Sequence, residues 1–495
     1  MTGPNPPAEW GAFSDPVIAP GGFREYDARW RFPEDINLPG MQMLGLGLGT
    51  QMQARGLPPD IILGHDYRSY SPAVKYALMA GLVQAGIRVH DIGPGLSPMA
   101  YFAQFHLNIS AVAMVTASHN PNGWTGVKMG FAPPLTHGPE EMAALRDIVL
   151  KGRGVPRGGG AILPVAGIRE AYCDDLVAGY RLSRPLRVVC ACGNGTAGAF
   201  APDILARIGA EIIPLHCRLD WDFPHYNPNP EALEMLHDMG QTVRETGADL
   251  GLGFDGDGDR CGVVDHRGTE IFADKMGLIL ARDWAPRHPG AHFVVDVKST
   301  GGFATDPVLA RAGATTEFWK TGHSHMKRRV KETGALAGFE KSGHYFLADP
   351  VGRGYDCGMR VAVELLKMLD RTPDTSLADL ADALPTTYTS PTLSPYCSDA
   401  EKYPALARIV TDLQAHAAAG GQIGGQAITE ILTINGARVN LANGSWGLVR
   451  ASSNTPNLVV VCESPESPEA MKAIFTDLDA IIRRQGEVGA YDQMI

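Results

Sequence analysis

Residues 109–121, ISAVAMVTASHNP, place an apolar run directly before a short polar loop. The first seven residues predict a β-strand, which Pro121 ends because proline has no N–H to donate to a sheet. Ser118 therefore stands on a tight loop beside His119, where we expect its hydroxyl to be exposed and able to carry a phosphoryl group. Serine, asparagine and proline are also common in ordinary turns, so this loop alone favours a plain turn over a functional site.

The order of elements around this stretch recurs twice further along the chain. Each round has two strands, a helix between them, and a third strand that ends in a polar loop. The predicted strands and closing loops are 61–64, 87–92, 109–115 and loop 116–121; 186–190, 211–215, 250–254 and loop 255–260; and 292–296, 315–319, 335–339 and loop 340–344. Three such rounds predict three similar α/β domains, with closing loops at the carboxyl ends of strands, where open sheets bind ligands.

The length of 495 residues exceeds what one hydrophobic core organises. A span rich in proline, serine and threonine, Leu384 to Pro404, predicts a linker. Beyond it, alternating helix and strand patterns predict a smaller α+β domain. The expected fold is therefore α/β, with three similar mixed α/β domains plus a C-terminal α+β domain. The expected domains are 1–165, 166–267, 268–385 and 386–495.

The chain carries 43 Lys and Arg against 54 Asp and Glu, a net charge of −11. This acidic balance argues against nucleic acid as the main partner, whereas local basic residues can still hold a small phosphorylated ligand. The N-terminus lacks a signal pattern and no apolar run approaches 18 residues, so we expect no membrane span and a cytoplasmic protein. The eight cysteines lack CxxC spacing, and Cys190 and Cys192 are expected to be buried and structural rather than metal ligands.

The loop Asp255-Gly256-Asp257-Gly258-Asp259-Arg260 has three carboxylates at alternate positions after an apolar strand. On a straight strand these groups would stand about 7 Å apart, too far to share a Mg²⁺ ion that binds oxygens at about 2.0–2.1 Å. The glycines permit the chain to curl around one ion. A calcium-binding EF-hand is excluded because Arg260 and His266 replace its required Gly and Glu. A metal site is favoured over a solvated acidic turn, with Arg260 as a further phosphate donor.

The loop at 340–344 offers a carboxylate, a hydroxyl and an imidazole at alternating positions. In an extended segment, Glu340, Ser342 and His344 would face one side, where they could bind a polyhydroxylated ligand. A half-exposed strand end explains this pattern equally well.

A fourth loop combines a guanidinium with hydroxyl and amide groups. Arg450, Ser452, Asn454 and Thr455 could hold a phosphate dianion through charge-assisted hydrogen bonds. A serine-rich turn beside a surface arginine explains the loop equally well when it is considered alone. Lys128, shortly after the first loop, is expected to be a mobile cation that can reach a phosphoryl oxygen.

Taken in this order, the four loops resemble those of the α-D-phosphohexomutase family, most closely its phosphomannomutase/phosphoglucomutase branch. The resemblance spans nearly the whole chain and is carried by residues 23–29, 116–121, 255–260, 319–323, 340–344 and 450–455. It implies the family fold, in which three similar α/β domains and a C-terminal α+β domain surround a central cleft.

The resemblance also implies roles for individual residues. Ser118 would be the phosphoserine, with His119 and Arg260 in contact with it. The Mg²⁺ ligands would be Ser118, Asp255, Asp257 and Asp259. The residues that assist phosphoryl and proton transfer would be Arg29, Lys128 and His344. The substrate would be bound by Tyr26, Lys298, His323, Glu340, Ser342, Arg450, Ser452, Asn454 and Thr455.

The implied reaction interconverts hexose 1-phosphate and hexose 6-phosphate, of mannose, glucose or both, through the phosphoserine and a 1,6-bisphosphate. Mg²⁺ would be the cofactor and a hexose 1,6-bisphosphate the activator, in a monomer or homodimer. A phosphosugar hydrolase and a non-catalytic phosphosugar-binding protein remain as alternatives. So does a phosphoglucosamine mutase, although Lys341 would repel a cationic amine if both point into the cleft.

Overall fold

The computed structural model describes residues 15–453, 455–493 and 495. These residues form two compact units. Of the described residues, the first unit contains 15–271 and 343–377, and the second contains 272–342 and those from 378 onward. Asn454, a predicted phosphate ligand, and residues 1–14 of the predicted first domain lie outside the described residues.

Two sheets form the first unit. The first sheet has the order β1-β5-β4-β2-β3-β6 and contains β1 Ala28–Arg31, β2 Asp60–His65, β3 Arg88–Pro94, β4 Ala111–Val115, β5 Trp124–Gly130 and β6 Ala161–Pro164. The second has the order β11-β10-β9-β7-β8 and contains β7 Arg187–Ala191, β8 Glu211–Leu215, β9 Leu250–Phe254, β10 Cys261–Asp265 and β11 Glu270–Ile271.

The second unit contains a parallel and an antiparallel set of strands. In the parallel set, β12 His292–Asp296 pairs with β13 Thr315–Trp319 and with β14 Ala337–Phe339. The next strand along the chain, β15 Tyr345–Leu347, belongs to the first unit. The antiparallel sheet has the order β16-β21-β20-β19-β18-β17 and contains β16 Tyr388–Thr389, β17 Gln422–Ile423, β18 Gln426–Leu432, β19 Ala437–Leu441, β20 Trp446–Ala451 and β21 Leu458–Ser464.

Helices connect these strands. Those of the first unit are Leu38–Ala54, Ser71–Gln84, Ser97–Leu107, Pro139–Leu150, Ile168–Val177, Ala201–Arg207, Leu233–Thr246 and Gly358–Arg371. The others are Ala273–Trp284, Gly302–Thr305, Pro307–Arg311, His323–Thr333, Leu377–Asp382, Lys402–Ala418 and Pro468–Ile482. Among the described residues, no helix is both long and apolar enough to cross a membrane.

The three rounds predicted from the sequence share one strand order. In each, the first strand lies between the second and the third, giving β3-β2-β4, β8-β7-β9 and β13-β12-β14. The third strands β4 and β9 are buried along their whole length, as expected for parallel strands covered on both faces. Each third strand ends directly in its polar loop. The prediction of three similar α/β domains followed by a smaller C-terminal domain is confirmed.

The predicted linker between Leu384 and Pro404 is wrong for its middle part. The strand β16 pairs with β21, and Ser390 N donates to Cys462 O at 2.8 Å. Leu393 then bridges to Val460. The segment therefore lies at the edge of the antiparallel sheet, where prolines are tolerated because an edge strand has N–H groups without a ladder partner.

Candidate active site

Ser118 lies in the loop between β4 and β5, with a left-handed backbone at φ 52°. This conformation is uncommon for residues other than glycine. Ser118 N donates to Thr116 Oγ1 at 2.9 Å, and Arg68 Nη2 donates to Ser118 O at 3.1 Å. A Cβ on Gly256 would lie 2.5 Å from Ser118 O, so the aspartate loop packs directly on the serine loop. Ser118 is 1% exposed, and the expectation of an exposed hydroxyl is wrong.

The three aspartates converge between β9 and β10. Their carboxylate oxygens lie within 4.8 Å of one another, and all three residues are buried. Gly258, at φ 74°, turns the loop where a side chain would be strained. Ser118 Oγ donates to Asp255 Oδ2 at 3.2 Å. The structure therefore brings Ser118 together with Asp255, Asp257 and Asp259.

Lys128, on β5, reaches the same carboxylates. Its Nζ donates to Asp257 Oδ2 at 2.7 Å and also to Asp259 Oδ2, and its side chain is buried. Burial alone would lower the pKa of this ammonium, but Asp257 and Asp259 outweigh that effect and raise the pKa well above its ordinary value. A buried ammonium with two carboxylate partners is held in place, so the expectation of a mobile cation is wrong.

The aspartate cluster has the chemistry of a site for a hard divalent cation. Burial, Asp259 and Asp257 raise the pKa of Asp255 well above its ordinary value, because three buried carboxylates repel one another. Among the described residues, Oδ1 of Asp257 and Oδ1 of Asp259 are buried and accept no hydrogen bond. Carboxylate oxygens are the ligands that Mg²⁺ prefers. The residues present therefore fit a Mg²⁺ ion held by the three aspartates and an oxygen on Ser118.

His119 connects Ser118 to Arg260. Its Nδ1 lies 3.3 Å from Ser118 Oγ and 2.9 Å from Arg260 Nη2, which donates to it. Glu231 accepts from Arg260 Nη1 at 2.9 Å and fixes the guanidinium. Burial and the Arg260 charge keep the pKa of His119 well below its ordinary value. The imidazole is therefore neutral, with Nδ1 as the hydrogen-bond acceptor.

Arg29, on β1, is attached to the serine loop. Its Nε and Nη2 donate to Asp27 Oδ2 at 3.0 and 2.8 Å, and its Nη1 donates to Asn120 Oδ1 at 3.0 Å. Burial alone would lower the pKa of the guanidinium, but the ion pair with Asp27 outweighs it and raises that pKa. Tyr26, just before this pair, is buried. Arg29 thus carries a fixed positive charge beside the loop of Ser118.

His344 joins the aspartate cluster. Its Nε2 lies 3.5 Å from Asp259 Oδ1 and 3.9 Å from Asp356 Oδ2. Its backbone forms an isolated bridge with Arg260. The structure therefore brings His344 together with Asp259 and Asp356.

In the second unit, two hydrogen bonds to Glu340 hold the loop after β14. Glu340 Oε1 accepts from Gly322 N at 2.5 Å, and Ser342 Oγ donates to Glu340 Oε2 at 3.1 Å. The chain then turns at Gly343, whose φ is 90°. The structure brings Glu340 and Ser342 together, and the expectation of an extended segment is wrong, because residues 341 and 342 form a turn.

Lys298 and His323 lie just beyond the carboxyl ends of β12 and β13. The carbonyl oxygens on either side of Lys298, those of Val297 and Ser299, each accept from Arg438 Nη1 at 2.7 Å. His323 is buried and begins the helix that ends at Thr333. Both predicted substrate contacts therefore stand at strand ends of the third repeat.

The fourth predicted loop follows β20 and is fixed by a lysine. Ser452 Oγ accepts from Thr455 N at 3.2 Å and from Thr455 Oγ1 at 2.8 Å. Lys402 Nζ donates to the carbonyl oxygens of Ser452 and Thr455 at 2.7 and 3.1 Å. Arg450 Nη1 donates to Ala451 O at 2.8 Å. Ser452 and Thr455 are thus held together in a preformed turn.

Three residues that hold these loops were missed by the sequence analysis: Arg68, Ser97 and Lys402. Ser97 Oγ donates to Asp257 Oδ2 at 2.5 Å, and Arg68 Nη2 donates to both loop carbonyls, Ser118 O and Asn120 O. Arg68 and Ser97 follow β2 and β3, so their position at carboxyl strand ends was a usable signal. Lys402 had no such signal, because it lies within the predicted linker, where the helix Lys402–Ala418 begins.

Comparison with known protein families gives four matches in chain order. All four family models are described as phosphoglucomutase/phosphomannomutase. They are alpha/beta/alpha domain I over residues 21–154, domain II over 170–268, domain III over 272–388 and the C-terminal domain over 398–481.

Individual proteins are similar over nearly the whole chain. A phosphomannomutase/phosphoglucomutase of Pseudomonas putida is 36% identical over 91% of this chain and 93% of its own length. A phosphoglucomutase of Neisseria gonorrhoeae is 33% identical over 93% of this chain and 96% of its own. The crystal structure of a phosphoglucomutase/phosphomannomutase family protein from Burkholderia thailandensis has a TM-score of 0.85 and 28% identity, and the match covers 96% of this chain and 100% of that one.

Proposed function

Because the chain belongs to the phosphoglucomutase/phosphomannomutase family, we propose that it is a phosphohexomutase that interconverts hexose 1-phosphates and hexose 6-phosphates. The substrates are the phosphates of mannose, glucose or both. The observation that carries the proposal is the place of Ser118 Oγ, which is buried and donates to Asp255 Oδ2 at 3.2 Å within the aspartate cluster. A hydroxyl at this point can hold a phosphoryl group among compensating positive charges.

Phosphoryl transfer needs mainly the positioning of the reactants and the neutralisation of negative charge on the phosphoryl oxygens. The site must therefore supply positive charge. When bound by Asp255, Asp257, Asp259 and an oxygen on Ser118, Mg²⁺ would supply part of that charge. Lys128 supplies a fixed ammonium on the same carboxylates. His119 Nδ1 lies 3.3 Å from Ser118 Oγ and accepts from Arg260, so we expect these two side chains to orient a phosphoryl group on Ser118.

The proposed step transfers the phosphoryl group from Ser118 Oγ to a hexose hydroxyl. The Oγ–P bond breaks while the hexose oxygen bonds to phosphorus, and the product is a hexose 1,6-bisphosphate. The hydroxyl proton passes to a base, for which we propose His344 Nε2, and the Ser118 oxygen takes up a proton as its own phosphoryl group leaves. After the bisphosphate turns over, the reverse step returns its other phosphoryl group to Ser118. The burial of Ser118 limits attack by water.

Residues of the second unit are proposed to bind the sugar and its non-reacting phosphate. Glu340 and Ser342 would contact hydroxyls that glucose and mannose share. The phosphate would be bound by Arg450, Ser452, Asn454 and Thr455. Lys298 and His323 of the same unit, and Tyr26 of the first unit, are proposed as further substrate contacts. Lys341 Nζ lies 3.8 Å from Asp274 Oδ2, so its charge is partly offset and opposes a cationic amine less than expected from the sequence.

The same proposal includes Mg²⁺ as the cofactor and a hexose 1,6-bisphosphate as the activator. It also includes a monomer or homodimer as the assembly and the cytoplasm as the location. The activator follows from the chemistry, since any bisphosphate lost from the site leaves Ser118 without its phosphoryl group and must be replaced.

A direct comparison of products tests this function. The purified protein, with Mg²⁺ and glucose 1,6-bisphosphate, is given mannose, glucose or glucosamine 1-phosphate, and both the 6-phosphate and inorganic phosphate are measured. We expect 6-phosphate without release of inorganic phosphate, and loss of turnover in Ser118→Ala with unchanged circular dichroism. Stoichiometric release of inorganic phosphate would instead identify a hydrolase, and near-normal turnover by Ser118→Ala would remove the assigned role of this serine.

A further inference from the structure

A group of three thiols lies at the carboxyl ends of β7 and β8, outside the aspartate cluster. The two strands are parallel, with Cys190 opposite Pro214 and Ala191 opposite Leu215. Cys192 N donates to Leu215 O at 3.1 Å and continues this pairing beyond the strands. The pairing brings Cys217, two residues after β8, beside the two cysteines that the sequence analysis treated as an isolated pair.

The sulfur atoms are spaced like the ligands of one metal ion. The Sγ atoms of Cys190 and Cys192 lie 3.9 Å apart, and those of Cys192 and Cys217 lie 3.6 Å apart. All three lie within 4.8 Å of one another. A tetrahedral zinc site with Zn–S bonds of about 2.3 Å holds its sulfurs roughly 3.8 Å apart. A disulfide would need two of these atoms to approach to about 2.0 Å.

The surroundings of the thiols provide both enclosure and access. Cys190 and Cys192 are buried, whereas Cys217 is half-buried. Cys217 lines an open surface pocket together with His216 and His225. An ion can therefore enter from this pocket, and a water molecule or a pocket side chain can complete its coordination.

The pocket beside Cys217 is lined by one acidic and one basic side chain, Asp220 and Arg218. His216, which also lines it, has its Nε2 3.0 Å from Asp238 Oδ2.

We propose that Cys190, Cys192 and Cys217 bind one thiophilic divalent cation, of which Zn²⁺ is the expected example. Each thiol that becomes a ligand gives its proton to solvent, so binding releases protons and strengthens as pH rises. The cation would join the ends of β7 and β8. Cys192 leads directly to Thr196, whose N donates to Gly256 O at 3.2 Å in the aspartate loop. A bound cation would therefore stabilise residues 192–196, which contact the aspartate loop.

The test uses Cd²⁺ as a probe, because its thiolate charge-transfer absorbance in the ultraviolet reports sulfur ligands and does not arise from the aspartates. The full-length protein is titrated in excess Mg²⁺ with a phosphine reductant. We expect saturation at one equivalent of Cd²⁺, and reversal of the signal by Zn²⁺. Cys217→Ser should remove about a third of the absorbance and weaken binding at least tenfold, since loss of outer-shell partners alone costs roughly 10–100-fold.

Two further variants make the result decisive. Cys192→Ala, which removes a different ligand, should weaken Cd²⁺ binding to a similar degree. Cys173→Ser alters a buried cysteine on the helix Ile168–Val177 and should leave the titration unchanged. Absence of a charge-transfer signal at one equivalent, or equal signals from Cys217→Ser and Cys173→Ser, would overturn the proposal, as would a Cys192–Cys217 disulfide that persists under the reductant and excludes the ion.

Discussion

The loop after β9 and the loop after β14 occupy equivalent places in two repeats of one fold, but they handle charge differently. The first, Asp255 to Arg260, buries three carboxylates whose oxygens lie within 4.8 Å of one another. The second, Glu340 to Gly343, buries one carboxylate, which accepts from Gly322 N and Ser342 Oγ beside it. The first loop depends on cations brought by other segments, whereas the second is largely satisfied by its own neighbours.

This difference suits the two loops to different tasks, phosphoryl transfer for the first and sugar recognition for the second. Burying like charges is costly unless they are paired, so the aspartate loop needs the positive charge of Lys128 and, as proposed, that of a bound cation. Buried carboxylates that lack a full set of positive partners attract a metal ion, and such an ion can in turn bind a phosphoryl oxygen. The loop at Glu340, whose carboxylate is hydrogen-bonded to neighbouring residues, offers fixed donors and acceptors instead. Such groups suit the recognition of neutral hydroxyls. Changes in the first loop should therefore lower kcat, and changes in the second should raise KM.

The largest effect is expected from Asp257→Asn. The amide is a poor ligand for a hard cation and loses the charge that pairs with Lys128. We expect kcat to fall by about 10²–10³, the range seen when one stabilising group of a charged transition state is removed. The comparison is made by steady-state kinetics over a Mg²⁺ titration. Asp147→Asn, on an exposed helix surface, should leave kcat unchanged, and a wild-type rate that persists in EDTA would contradict the assignment.

Lys128→Met tests whether the first loop needs external charge. Without its ammonium, two buried carboxylates lose a partner, which should lower the free energy of unfolding by about 3–5 kcal/mol in the absence of metal. Mg²⁺ should restore part of this loss, and urea denaturation with and without Mg²⁺ measures it. Lys75→Met, which breaks a buried pair with Asp91 elsewhere, is the matched control. If Mg²⁺ raises the free energy of unfolding of both variants equally, the aspartate loop does not depend on external positive charge.

Glu340→Gln tests the second loop. The amide keeps the shape but weakens the hydrogen bond from Gly322 N and the bonds proposed to the sugar, because hydrogen bonds to charged groups contribute about 1.5–3 kcal/mol. We expect kcat/KM to fall roughly tenfold, mainly through KM. Glu317→Gln, in a pair with Arg329 on the same unit, should leave KM unchanged. A fall in kcat with constant KM would place Glu340 among the groups that act on the transferred phosphoryl.

The smallest effect concerns the epimeric substrates. Glucose and mannose differ at the 2-position, and Glu340 and Ser342 are proposed to bind hydroxyls that both sugars share. We expect their phosphates to be used within about tenfold of each other, a difference of roughly 1.4 kcal/mol in transition-state stabilisation. Glucosamine phosphate should be used less well. Side-by-side kcat/KM values decide this, and a clear preference for glucosamine 1-phosphate would contradict the expected specificity while leaving the mutase chemistry in place.

The repeat and the aspartate cluster were predictable because local sequence determines both. Strand patterns with polar loops recur three times, and the glycines between Asp255, Asp257 and Asp259 permit a turn that brings the carboxylates together. The predicted alternation after Glu340 failed because one residue, Gly343 at φ 90°, bends the segment. The alternation of polar residues at positions 340, 342 and 344 does not indicate such a turn.

Contacts between distant segments were not predictable from the sequence. Ser118 is buried because Gly256, far along the chain, packs against its carbonyl. Lys128 is fixed because β5 places it against two aspartates from the next domain. Lys402 and Cys217 entered their clusters in the same way. Each depends on which distant segments of the chain meet in the fold, which the one-dimensional pattern does not contain.

The central claim is that Ser118 Oγ donates and receives the phosphoryl group, and one transfer experiment tests it. Protein labelled with ³²P from glucose 1,6-bisphosphate is mixed with unlabelled glucose 6-phosphate and Mg²⁺, and the reaction is quenched within one turnover. We expect one label per chain, lost in Ser118→Ala, and its transfer to hexose bisphosphate and then to hexose monophosphates. Label that remains on the protein, or that leaves as inorganic phosphate, would contradict the account.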